Sequence, residues 1–315
     1  MLFARRDAIA DLHILGRELG ELLLQPLFRK YAVHPPQIVH YTSIQTLEAI
    51  LASGNLRMTH FRHLNDSTEM LHGRRVINQL LSAEAASNAK TAAFFDYCRF
   101  FFNEVGDDAI QYFVTSFSAL PDSPDLWARY GVRGAGVAIT FDTLRMGAAP
   151  NDSGPYYIGR VTYSAEDQLE LISPLIAAAK IVASRYIARH GYDVRDVAVQ
   201  ALAAKLCSNL NHHSISLKDH DPWQVEEEWR TVFSVLQNDS RDRKDRVQRG
   251  SDGRPFVDVP VLTVDPNRSH MPIAMVTVGT AAERLDVEAV LRRHGYGHVA
   301  VGKSAIDLVD LPSWQ

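Results

Sequence analysis

Residues 223–235 read WQVEEEWRTVFSV. Three glutamates stand in a row between two tryptophans, followed by an arginine and an apolar run. Successive side chains of a strand point to opposite faces. A strand here puts Glu227, Trp229, Thr231, Phe233 and Val235 on one face, and Glu226, Glu228, Arg230, Val232 and Ser234 on the other. After Glu227 the first face is apolar. The second is charged, with two carboxylates one strand repeat apart, about 7 Å. By itself this E-x-E-x-R pattern reads as a solvated edge on which Arg230 balances the acids.

Upstream of this strand, leucines at spacings of three and four predict a helix over 5–31, ended by His-Pro-Pro at 34–36. QIVHYTS (37–43) reads as a short strand. IQTLEAILASG (44–54) reads as an amphipathic helix with Gly54 as its C-terminal cap. NLRMTHF (55–61) is a second strand. Asp66 with Glu69 predicts the cap of a helix that continues through 76–104. AIQYFVTSFS is β-rich, and SPDLWARYG is a short helix with proline near its start. GVAITFD and YIGRVTY are strands, residues 166–211 are helical with a break near RHGYD, and PFVDVPVLTV, IAMVTVGT and HVAVG are late strands, with a helix at AAERLDVEAVLRRHG. Helices and strands are interspersed without strict alternation, which predicts an α+β domain over 36–315, preceded by a helical lead-in at 1–35 and carrying a helical insert at about 166–215.

The chain has 315 residues, 46% hydrophobic and 22% charged, with a net charge of −4. This is globular composition with no global pull toward nucleic acid or anionic lipid. Two cysteines without a CxxC partner argue against disulfide scaffolds and cysteine zinc sites. The expectation is a reduced, cytoplasmic compartment with no membrane partner, because acids come too early for a secretory signal and no long uninterrupted apolar run is present. Asn211-His212-His213 with His220 matches no standard zinc spacing, and no metal is expected. The acids of NDSTE (65–69) with Glu226 and Glu228 leave a metal-dependent nuclease as a weaker alternative. RDRKDRVQRGSDGR (241–254) reads as a solvated hairpin loop that also suits a phosphate backbone. Tyr41 is expected to face the core, and Asn65 and Asp66 to shape a turn.

Four stretches in order, HYTS with ILASGNLRMT (40–43 and 50–59), NDSTE (65–69), TSFSALPDSPDLWARYG with GVAITFD (115–142) and EEEWR (226–230), together with MVTVG (275–279), resemble the bacterial domain of unknown function 2971 family. Their pattern is in turn similar to the ADP-ribosyltransferase fold: split mixed β-sheets with flanking helices, a first strand with His, a second with Ser-Thr-Ser or Tyr, and a late strand with the catalytic Glu. That resemblance implies NAD as substrate in a cleft between two small sheets, and an unknown protein or nucleic-acid acceptor. It implies Glu228 as the carboxylate that stabilises the developing ribosyl cation and Glu226 as the residue that orients or deprotonates the acceptor. It places His40, Thr42 and Ser43 of the first strand, and Ser116 and Ser118 of the second, around NAD. It implies Arg57 as a phosphate contact, Trp127 and Tyr130 as a wall for nicotinamide, and Trp223 and Arg230 on the acceptor side. His40 replaces the Arg of the arginine-modifying type, and TSFS replaces the Tyr of the histidine type, so the acceptor stays open. A toxin or phage-defence role suits such an activity. A non-catalytic nucleotide- or partner-binding module on the same fold is the alternative. Each residue also has a plainer reading: His40 as a hydrogen-bonded core histidine, the serines as strand polar residues, and Trp127 and Tyr130 as core.

Overall fold

The first strand, β1 (Gln37–Thr42), is buried on both faces. Ile38 packs with Leu47, Phe117, Phe141 and Trp229, whereas Val39 and Tyr41 pack with Leu126, Trp127 and Ala138. Ser43 ends the strand and accepts the Thr46 backbone N–H, capping helix α1 (Ile44–Ser53). Gly54 closes that helix at φ 68°, a left-handed conformation that any side chain resists. The computed structural model describes residues 14, 16–20, 35–64, 70–104, 110–147, 157–219, 221–236, 246–263 and 270–307. Most of the helix expected at 5–31, the turn at Asn65 and Asp66, His220 and residues 237–245 at the start of the charged loop lie outside these residues. Within the lead-in, residues 16–20 are helical.

In chain order the remaining elements are β2 (Asn55–His60), α2 (Leu71–Ser87), α3 (Ala92–Glu104), β3 (Ile110–Ser118), α4 (Pro124–Arg129), β4 (Val137–Asp142), β5 (Met146–Gly147) and β6 (Tyr157–Arg160). Then follow α5 (Ala165–His190), α6 (Val197–Ser214), β7 (Glu228–Leu236), β8 (Gln248–Arg249), β9 (Pro255–Pro260), β10 (Leu262–Thr263), β11 (Ile273–Val278), α7 (Arg284–Arg293) and β12 (Ala300–Lys303). The chain divides into two compact units, one drawn from Met1–Val33, Asn65–Ile110 and Thr162–His220, the other from His34–Leu64, Gln111–Val161 and Asp221–Gln315.

The second unit is built on an open mixed sheet in the order β12-β11-β4-β1-β3-β2-β9-β8, with β7 pairing both β3 and β6. The α+β class is therefore as expected. β11 and β12 are parallel, while β1–β4, β1–β3, β2–β9 and β6–β7 are antiparallel. β1 runs beside β4 from Gln37↔Asp142 to Thr42↔Val137, yet it registers with β3 only at Val39↔Ser118. The two halves of the sheet are thus pinched together at one pair rather than separated into two sheets.

The first unit is helical. α2, α3, α5 and α6 bury a common core that includes Ile77, Phe94, Phe95, Phe102, Leu175, Val182, Leu206 and Leu210. α2 and α6 approach so closely that a side-chain carbon on Gly73 would lie 2.2 Å from the Ser214 carbonyl. Two expectations are corrected here. The helix expected from Asp66 begins at Leu71, with Met70 before it at φ 63° and no side-chain cap. The run expected through 76–104 is two helices, because the Asn88 side chain accepts the Lys90 N–H and ends the first of them. α5 is long and apolar enough to cross a membrane by composition. Its residues from Gln168 to Tyr186 supply one side of the buried core, which accounts for that apolarity without a membrane.

The end of α6 carries buried histidines. Burial pushes His213 down to about 3 and the less buried His212 down to about 4. Both are neutral in the fold and take up protons near 6.5 when unfolded, so stability is full above about pH 6.5 and falls as pH drops below it. His40, also lowered by burial, acts in the same direction. Urea unfolding between pH 7.5 and 5 is expected to lose up to about 1.4 kcal/mol per pH unit for each such histidine, and His213→Leu is expected to flatten that slope. An unchanged slope would contradict this assignment.

Candidate functional site

The glutamate strand begins two residues later than its pattern suggests. Gln224–Glu226 form a 3-10 turn, Glu227 adopts φ 40° and ψ 52°, and β7 starts at Glu228. A left-handed residue other than glycine costs roughly 1–2 kcal/mol and needs its surroundings to hold it. Here the Ser118 hydroxyl donates to the Glu226 carbonyl at 2.7 Å, the Ala119 N–H to the Glu227 carbonyl at 3.2 Å, and the Val161 N–H to the Glu228 carbonyl at 2.9 Å. Glu226 and Glu228 are therefore not alternate residues of one strand face, which corrects the expected pairing.

The expected solvated front of β7 is also corrected. β7 lies between β3 and β6, so neither of its edges is open. Trp229, Phe233 and Val235 fill the apolar face as expected. Glu228 and Arg230 are buried too, their side chains 4% and 2% exposed. Arg230 grips Glu228 with two hydrogen bonds, Nε to Oε1 at 2.7 Å and Nη2 to Oε2 at 3.0 Å. This fork is the strong geometry for a desolvated arginine–carboxylate pair.

Glu226 has its own partners. The Tyr130 hydroxyl donates to its Oε1 at 2.6 Å, and Arg129 Nη1 approaches the same oxygen at 3.2 Å. The Arg129 guanidinium also lies over the Trp223 ring, 5.3 Å from its centre. α4 presents these groups. Pro124 opens it, Trp127 donates its indole N–H to Asp122, and Gly131 follows where a side-chain carbon would strike the Trp127 ring at 2.3 Å. Asp122 also accepts from the Ser304 hydroxyl at 2.7 Å and the Ala305 N–H at 3.0 Å, tying α4 to the chain beyond β12.

The other expected site residues are placed as follows. His40 donates its Nδ1–H to the Ser116 carbonyl at 2.9 Å and meets Phe117 edge-on at 5.8 Å. Burial lowers its pKa more than that carbonyl raises it. Thr42 is buried and Ser43 caps α1. Ser118 holds the Glu226 carbonyl and also accepts the Leu120 N–H. Arg57 is ion-paired with Asp258 at 3.3 Å and stacked 3.7 Å over Phe256. Trp127 is fully buried against Val39, Tyr41, Leu126 and Ala138. Tyr41 faces that core, its hydroxyl donating to the Leu120 carbonyl and accepting the Ser123 N–H.

Glu226, Tyr130, Trp223 and Ser118 thus come together, with Glu228 and Arg230 just beyond. His40 does not join them. It shares the Ile38 face of β1, whereas Trp127 and Tyr130 pack on the Val39 face. Sequence reasoning missed Arg129 and Asp122. Arg129 stood in view between Trp127 and Tyr130, but adjacent helix residues point about 100° apart, so spacing gave no sign that both reach one carboxylate. Among the described residues, no group of three or more His, Cys, Asp or Glu side chains is placed to hold a metal ion.

Residues 126–231 match the family described as Protein of unknown function (DUF2971), a stretch that runs from α4 into β7 and contains both glutamate clusters. That match supports the first of the two resemblances over this part of the 315-residue chain. No curated protein and no solved structure matches the chain.

Removing one partner of a buried ion pair strands the other charge, at a cost of about 3–5 kcal/mol, whereas replacing both with apolar residues is near neutral. Arg230→Met alone is therefore expected to lose several kcal/mol in urea unfolding, and the Glu228→Leu/Arg230→Met double variant to lose less than the single. A double variant that is weaker still would show that the pair is not the isolated buried unit described here.

Proposed function

We propose that the chain binds NAD and breaks its nicotinamide–ribose bond, passing ADP-ribose to an acceptor or to water, with Glu228 as the stabilising carboxylate. The observation that carries this reading is strand adjacency. The three strands that bear the signature residues, β1, β3 and β7, are consecutive partners: β3 pairs with β1 and with β7. Of the β3 serines, Ser118 lies beside the glutamate segment and holds the Glu226 backbone. In the reaction, the C1′–N bond breaks and neutral nicotinamide leaves with the electron pair. The oxocarbenium ion is stabilised by the Glu228 carboxylate. The acceptor's nucleophile bonds to C1′ and its proton passes to Glu226 or to water. Arg230 holds the Glu228 carboxylate in place with two hydrogen bonds.

A second reading, a binding module without turnover, is favoured by one observation. Both carboxylates are already engaged by arginines, and His40 faces away from the aromatic helix. Nicotinamide release from NAD, measured for the wild type beside Glu228→Gln, separates the two. The transferase reading expects release by the wild type and a loss of about 10²–10³ in the variant. NAD binding by calorimetry without release, even with cell extract supplying acceptors, would favour the module. In the transferase reading Trp223→Ala is expected to lower acceptor modification more than NAD hydrolysis; equal losses would remove Trp223 from the acceptor side.

A further inference from the structure

Two residues that this reading assigns to the acceptor, Glu226 and Trp223, hold a group of the chain's own: the guanidinium of Arg129. Its Nη1 is 3.2 Å from Glu226 Oε1, and its Cζ is 5.3 Å from the centre of the Trp223 ring. Tyr130 fixes the same carboxylate oxygen at 2.6 Å. A carboxylate at the edge of a planar cation and an indole against its face is the chemistry that selects guanidinium. Here one N–H meets a carboxylate oxygen, and the weakly hydrated guanidinium lies over the ring. A lysine ammonium supplies the charge but no plane to lie over the indole.

The pair is desolvated, with Arg129 and Glu226 side chains 10% and 5% exposed, but the rim is open. Trp223 is half-buried, Val225 is 45% exposed and Glu227 is exposed. The element that delivers Arg129 is short: α4 has six residues, and Val132 and Arg133 beyond it sit at φ 52° and 49°.

We infer that Glu226, Tyr130 and Trp223 form a guanidinium receptor, and that Arg129 occupies it in cis as a built-in blocking group. An arginine side chain of another protein enters only when Arg129 withdraws. The binding chemistry stands on the geometry alone; its consequence for turnover rests on the transferase reading. With Arg129 in place, the apparent affinity for an outside arginine is reduced by the fraction of molecules whose receptor is open. Once that arginine is seated, its guanidinium gives a proton to the Glu226 carboxylate. The freed nitrogen lone pair bonds to C1′ as nicotinamide leaves with its electrons, and the proton passes on to water.

The test uses the full chain with Arg129→Ala, and Arg129→Gln should the alanine variant not fold. Melting is followed against millimolar methylguanidinium, with methylammonium as the control and the wild type reporting any general salt effect. The expected result is that methylguanidinium raises the melting temperature of the variant and not of the wild type, while methylammonium raises neither. Equal effects of the two ions on the variant, or none, overturn the receptor. Nicotinamide release with agmatine as acceptor is measured in parallel. The variant is expected to use agmatine at least about tenfold better than the wild type at subsaturating concentration, and equal use overturns the blocking role. Rescue by methylguanidinium without nicotinamide release from any form leaves the receptor standing and defeats the transferase reading instead.

Discussion

A carboxylate stays charged in a water-poor interior only when a counter-charge and donors replace its hydration. Both ends of the three-glutamate run meet that condition, each with its own arginine. Glu228 takes Arg230 from two residues along the same strand, and Glu226 takes Arg129 from the end of α4. The middle residue, Glu227, is exposed and needs no partner, and it is the one that bears the left-handed turn. The local backbone follows from this division. The chain reverses at the only glutamate that solvent can keep, and the flanking two are directed to separate cations.

β3 makes that arrangement rigid. It pairs with β1, β2 and β7, and the residues at its end reach across to the turn: Ser118 to the Glu226 carbonyl and Ala119 to the Glu227 carbonyl. The same stretch of chain takes the His40 ring at the Ser116 carbonyl and the Tyr41 hydroxyl at the Leu120 carbonyl. Burial holds Tyr41 neutral, so its hydroxyl remains a donor there. β1 and β7 are therefore registered to one common strand, and the polar side chains singled out from the sequence lie along it. β1 and β3 register with each other at Val39↔Ser118, beside the Ser118 hydroxyl that holds the turn before β7.

Most elements were legible because their signals are local. Gly54 as a left-handed cap, Pro124 opening α4 and Tyr41 facing the core each follow from one or two residues. The apolar face of β7 was legible for the same reason. What was hidden depends on contacts far apart in sequence. Period-two reasoning carried the strand back to Glu226, because nothing in EEE marks a left-handed residue; the turn is held by β3 hydrogen bonds from 108 residues away. The charged face looked solvated because partnering of β7 on both edges cannot be read from β7 itself. Asp122 joins Trp127 to Ser304 across 182 residues, so its role has no local signature.

The two ion pairs differ in what they can release. Arg230 and Glu228 belong to one strand with both edges paired, so their fork is fixed by the sheet. Arg129 and Glu226 come from a six-residue helix and a 3-10 turn, with Arg129 Nη1 at 3.2 Å from the carboxylate. Apolar residues of similar volume would fill either place with little loss of stability, and often with a gain. Stability alone therefore does not account for charges in these positions. The sheet-bound pair has the rigidity required of a group that must meet developing charge in a set geometry, whereas the other pair joins two short elements at the edge of the glutamate turn.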